Sequence, residues 1–67
     1  MDNRAIHILS VEDHPVFQEG LSTIIASQPE MVLAAQATNA VEALEEFRRI
    51  RPDVTLMDLR LPGANDT

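Results

Sequence analysis

Sixty-seven residues make one small domain at most, of a size that hides only about 60% of its unfolded surface. No cysteine is present, which excludes disulfides and thiolate zinc sites as staples, and an apolar fraction of 45% argues against wholesale disorder. A net charge of −6, with five arginines and no lysine, sets the chain's own field against binding nucleic acid or an anionic membrane.

The first strand is expected over Ile6–Val11, where both alternating residue sets are largely apolar, as in a strand covered on both faces. Pro15 suits the first turn of a helix, where its missing N–H costs nothing. Phe17, Leu21, Ile24 and Ile25 then recur at helical spacing as one apolar stripe, and Pro29 stops the helix near Ser27 or Gln28. Met31–Ala37 reads as a second strand. Asn39 and Glu42 form a capping pair for a second helix. That helix should bury Val41, Leu44, Phe47 and Ile50 and pair Glu45 with Arg49 at i, i+4. Arg48, Arg49 and Arg51 complement its C-terminal dipole, and Pro52 ends it. The third strand is Asp53–Asp58, with loop from Leu61 onward.

The order is β-α-β-α-β. Crossovers long enough for helices imply parallel strands, right-handed connections and an α/β fold. Ligands of such sheets bind beyond the carboxyl ends of the strands. Two buried strands end there in acid: the first in Glu12-Asp13, the third in Asp58. Crowded carboxylates raise one another's pKa unless something neutralises them. A divalent cation does so, and Mg2+ asks for one or two protein carboxylates plus waters and phosphate oxygens. An Asp carboxylate beside such an ion can also accept a phosphoryl group. Simpler roles compete: Asp58 as a turn residue, Asp13 as a helix N-cap, His7 as a packed or hydrogen-bonded strand residue, His14 as part of the rim.

The stretch from Val11-Glu12-Asp13-His14-Pro15 to Glu19-Gly20-Leu21, with Asp58-Leu59-Arg60-Leu61-Pro62-Gly63, resembles the receiver domain of bacterial two-component response regulators. The Asp-His-Pro…Glu-Gly-Leu pattern is similar to the subgroup with a C-terminal LuxR-type helix-turn-helix output. The resemblance runs from Ile6 to Gly63. It implies a flavodoxin-like doubly wound parallel sheet, of which residues 1–67 would supply strands in the order 2-1-3, with strands 4 and 5 and the output domain lying beyond. It implies Asp58 as phosphoacceptor from a sensor histidine kinase, with Mg2+ as cofactor. Asp13 would be a direct Mg2+ ligand, Glu12 would act through a metal-bound water, and the backbone carbonyl of Arg60 would supply a third protein ligand. DNA would be contacted only through an output domain.

Two family positions have no counterpart in these 67 residues: the switch Ser/Thr after strand 4 and the Lys after strand 5. The expectation is therefore the N-terminal half of a receiver, not itself an enzyme, and unable to complete the usual switching step. Its third strand, central in the full sheet, would be an apolar edge inviting a two-fold dimer. A non-catalytic dimerisation module is one alternative. A Mg2+-dependent aspartyl phosphohydrolase is another, opposed by Arg60 standing where a second acid is usual. No Gly-rich loop or Walker lysine supports nucleotide binding. No apolar run nears the roughly 20 residues of a membrane span. Met1-Asp2-Asn3-Arg4 is unlike a signal peptide, so a cytoplasmic protein without a membrane partner is expected.

Overall fold

The computed structural model describes residues 4–58. Its elements follow the expected order: β1 (Ile6–Val11), α1 (Pro15–Ala26), β2 (Met31–Ala37), α2 (Ala40–Ile50) and β3 (Val54–Met57). The strands form one parallel sheet in the order β2-β1-β3. β1 runs in register with β3, from Ile8 opposite Val54 to Val11 opposite Met57. Against β2 the register slips once, so that Ile8 faces Leu33 but Leu9 faces Ala35. Among the described residues no helix is long and apolar enough to cross a membrane.

The first connection runs outward from β1 to β2, and the second returns across β1 to β3. With right-handed crossovers the two helices must lie on opposite faces. The core agrees: Leu9, Val11 and Ala37 pack with Ala43 of α2, with Ile50 at the margin. Ile8 and Ser10 point the other way and are buried, as is Ile25 of α1. Helix coverage of both faces explains why β1 reads apolar along both alternating sets.

Local signals set the element ends. Pro15 stands in the first turn of α1, behind His14 in extended backbone at the N-cap; Asp13 is not the cap. The helix stops at Ala26, with Ser27 as C-cap. Asn39 Oδ1 accepts from the Glu42 N–H at 2.9 Å, and Glu42 Oε1 accepts from the Thr38 N–H and hydroxyl, both at 2.9 Å. The acid thus reaches one residue further back than the usual reciprocal box. These two bonds hold the Glu42 carboxyl below its ordinary value, the backbone N–H of Thr38 contributing most. Arg51 closes α2 in the left-handed region, φ 50°, a conformation in which glycine is the common choice.

Several expectations are corrected. The stripe Val41, Leu44 and Phe47 is exposed (68%, 51% and 41%), Ile50 is half-buried, and the buried residue of α2 is Ala43. The helix settles on β2 and β1 through its small residue, while Leu44 and Phe47 line a groove of about 220 Å³ with Thr55 and Met57 of β3. On α1 only Ile25 is buried, Leu21 is half-buried, and Phe17 and Ile24 are exposed. β3 is shorter than Asp53–Asp58 and exposed throughout rather than buried, because among the described residues it pairs on one side only. Arg49 pairs with Glu46 at i, i+3, not with Glu45. His7 is exposed; its N–H donates to Asp53 Oδ2 at 2.8 Å.

Candidate functional site

Two backbone bonds build the carboxyl end of the sheet. The Glu12 N–H donates to the Ala37 carbonyl at 2.9 Å, fixing the end of β1 against β2. The Asp58 N–H donates to the Val11 carbonyl at 3.1 Å, fixing the end of β3 against β1. The first two residues past β1 and the first past β3 are therefore brought side by side. The β1–α1 turn is clamped from the helix side too: Gln18 Nε2 donates to the Glu12 carbonyl at 2.7 Å, and the Gln18 N–H to the His14 carbonyl at 2.9 Å.

Glu12, Asp13, His14 and Asp58 each turn one potential ligand atom inward, and these four atoms all lie within 4.8 Å of one another. Side-chain exposure grades the group: 10% for Glu12, 11% for Asp58, 32% for Asp13 and 54% for His14. Two nearly buried carboxylates at the floor and two more accessible groups at the mouth form a cup that opens to solvent. A groove of about 440 Å³ leads from it between Phe17 and Leu21 of α1 and Leu56 of β3.

The sequence places the three acids correctly at the strand ends, and the fold brings them together. The expected ligand carbonyl of Arg60 and the segment Leu61-Pro62-Gly63 lie outside the described residues. His14, read from sequence as a rim residue, stands at the mouth of the cup with its ring nitrogen toward the acids. Its Nδ1 is 2.9 Å from Glu12 Oε2, 3.1 Å from Asp13 Oδ1 and 4.0 Å from Asp58 Oδ2. Its N–H also donates to Glu12 Oε2 at 3.2 Å, and its ring meets the edge of Phe17 at 5.8 Å and 81°. The signal was its place between the acid pair and the N1 proline, where extended backbone turns the ring back over the strand end.

Oxygen donors in this number, drawn close on a half-sheltered floor, suit a hard divalent cation that retains some water. The cost of packing like charges falls once such an ion is held among them.

The same geometry has known relatives. The model of the response regulator receiver domain matches residues 8–66. The chain is 34% identical over 65 residues to the transcriptional regulatory protein DegU of Brevibacillus brevis, covering 97% of this chain and 28% of that protein. It is 46% identical over 57 residues to protein-glutamate methylesterase/protein-glutamine glutaminase 1 of Syntrophus aciditrophicus, covering 85% of this chain and 16% of that one. The chain thus spans about a quarter or less of the curated relatives it resembles, some regulators of transcription and some enzymes. Among solved structures, a LuxR-family two-component response regulator from Aurantimonas superimposes with a TM-score of 0.84 at 37% identity, over 92% of this chain and 44% of that one. The chain belongs to the response regulator receiver domain family.

Proposed function

We propose that this domain is the phosphoacceptor module of a two-component response regulator, and that Asp58 takes a phosphoryl group from a sensor histidine kinase. The observation that carries the reading is the convergence of Glu12, Asp13 and Asp58 on one point from the ends of two strands. The donor set fits Mg2+, which when bound would neutralise phosphoryl oxygens during transfer. Asp58 and Asp13 would hold the ion directly, with Glu12 acting through water. The carbonyl of Arg60 is a further candidate.

Asp58 presents its carboxylate from the sheltered end of β3, and its N–H bond to Val11 fixes its direction. A carboxylate oxygen attacks phosphorus of the donor phosphohistidine. The O–P bond forms, the P–N bond breaks, and its electron pair stays on the departing imidazole nitrogen, which takes a proton. An acyl phosphate on Asp58 results. The likeness to DegU and to a LuxR-family regulator favours a DNA-binding output, reached through a domain beyond these residues, in the cytoplasm. The receiver itself is a signalling module rather than the enzyme.

Incubation with Mg2+ and acetyl phosphate tests this. We expect a mass gain of about 80 Da, one phosphoryl group, absent in Asp58→Asn. An equal gain in Asp58→Asn, or none with Mg2+ present, would overturn the reading.

A second reading concerns assembly. Val54, Leu56 and Met57 of β3 are 42%, 38% and 46% exposed, and among the described residues no strand pairs with its outer edge. Such an edge recruits another strand. A second copy related by a two-fold axis would cover it. Light scattering after size exclusion should give about twice the 7.4 kDa of one chain. A folded species at the single mass contradicts the dimer.

A further inference from the structure

We propose that His14 becomes a ligand when this centre holds a first-row transition ion, and that its nitrogen gives the centre a preference for such ions, Zn2+ among them, over Mg2+. The inference rests on the reading of the centre as an ion site. Metal–ligand bonds of about 2.0–2.2 Å put neighbouring donors roughly 3.0–3.5 Å apart and opposed donors about 4.2 Å apart. His14 Nδ1 stands at 2.9, 3.1 and 4.0 Å from oxygens of Glu12, Asp13 and Asp58, distances that donors around a single ion span.

The ring is not placed by those contacts alone. Its backbone is extended at the N-cap, its N–H is tied to Glu12 Oε2, and the edge of Phe17 one turn along α1 backs the imidazole. Nδ1 faces the acids, and Phe17 flanks the ring. The other histidine gives the contrast. His7 lies 3.7 Å from the carboxylate of Asp53 at the far end of the sheet, and among the described residues it belongs to no group of three potential ligands.

The chemistry of the donor set follows. Three carboxylates alone suit a hard ion, and Mg2+ gains little from an imidazole. Zn2+ and its neighbours are borderline ions, for which a neutral imidazole nitrogen is a favoured ligand. The centre then has two modes: carboxylates and water for Mg2+, carboxylates and Nδ1 for Zn2+. In the second mode Nδ1 offers its lone pair to the ion and the ring proton sits on Nε2, so the imidazole stays neutral.

The test is a pair of calorimetric titrations of the whole chain, one with Mg2+ and one with chelator-buffered Zn2+, on the wild type, His14→Ala and His7→Ala. A histidine 15N spectrum identifies the coordinating nitrogen. We expect Zn2+ to bind more tightly than Mg2+. His14→Ala should weaken Zn2+ by at least about tenfold while Mg2+ changes by less than about threefold, and His7→Ala should change neither. The His14 Nδ1 resonance should move with Zn2+ and stay in place with Mg2+. His14→Asn, which keeps a hydrogen-bond donor beside Glu12, replaces the alanine variant if circular dichroism shows the latter unfolded. Equal Zn2+ affinity with and without His14 overturns the inference and leaves the Mg2+ reading standing. Tighter Mg2+ binding in His14→Ala also overturns it, since His14 would then be a neutralising cation. Zn2+ binding through His14 with no Mg2+ binding upholds the ligand and overturns the Mg2+ reading. Binding of neither ion overturns both.

Discussion

A backbone hydrogen bond joins β1 and β3 at each end, with a histidine and a carboxylate close by, and the two ends differ in kind. At the amino end the Asp53 N–H donates to the His7 carbonyl at 2.8 Å, and the side chains of His7 and Asp53 stand 50% and 56% exposed, with Nδ1 3.7 Å from Oδ2. At the carboxyl end the Asp58 N–H donates to the Val11 carbonyl at 3.1 Å, and His14 meets Glu12 at 2.9 Å with the acid only 10% exposed. The backbone stitch is the same. The carboxyl end adds two more acids and shelter from solvent. A lone exposed pair contributes little, because water screens it. Three grouped carboxylates, two of them sheltered, are an arrangement that could hold a cation. Number and burial, rather than the His–acid pairing, separate a site from a strand fastener.

The sharpest way to break this contrast is to loosen the strand that both ends share. Leu9 lies midway along β1 and is fully buried. Leu9→Ala should cost about 2–5 kcal/mol, a large share of the stability of so small a domain. Urea denaturation should show the loss, and ion binding should fall with the folded fraction. Near-unchanged stability would mean that β1 is not the common frame.

A smaller effect sharpens the contrast. Asp53→Ala removes the acceptor of the His7 N–H at an exposed position. The cost should be about 0.5–1 kcal/mol, with Mg2+ affinity unaltered. A clear drop in Mg2+ affinity at constant fold would show that the amino end is coupled to the site after all.

The smallest effect concerns an acid beyond β2 that serves only a helix cap. The Glu42 carboxyl is held below its ordinary value of 4.5 by Thr38, and it is fully exposed. A depressed acid contributes stability that is present above its unfolded value and lost as pH falls through the folded one. Acid titration of stability from about pH 4.5 downward should therefore contain a small Glu42 component that Glu42→Gln removes. An identical profile in Glu42→Gln would assign the cap no titrating role.

Much of this arrangement was legible in the sequence, and the failures share a cause. β1 and β2 begin and end where apolar runs meet polar residues or proline, and the acids follow the strands directly. Positions along one chain fixed the acids' meeting at a strand end. The apolar period of α2 identified Val41, Leu44 and Phe47 as one side of a helix, but periodicity cannot say how far a sheet extends beneath it. The small Ala43 is the residue buried, and the larger Leu44 and Phe47 line a groove with an exposed strand. Arg49 had acids at both i−3 and i−4 within reach, and spacing alone does not choose between Glu46 and Glu45. The position of the His14 ring was not legible, because it depends on extended backbone and on a contact with Phe17.

The claim that carboxylates from two separate strand ends act as one ion site is tested most directly by a double-mutant cycle on Mg2+ affinity with Asp13→Asn and Asp58→Asn. Each substitution alone should abolish most of the binding, and the pair should lose little more than either, because residues sharing one ligand do not contribute independently. Two losses that simply add, or full affinity in either single variant, would contradict it.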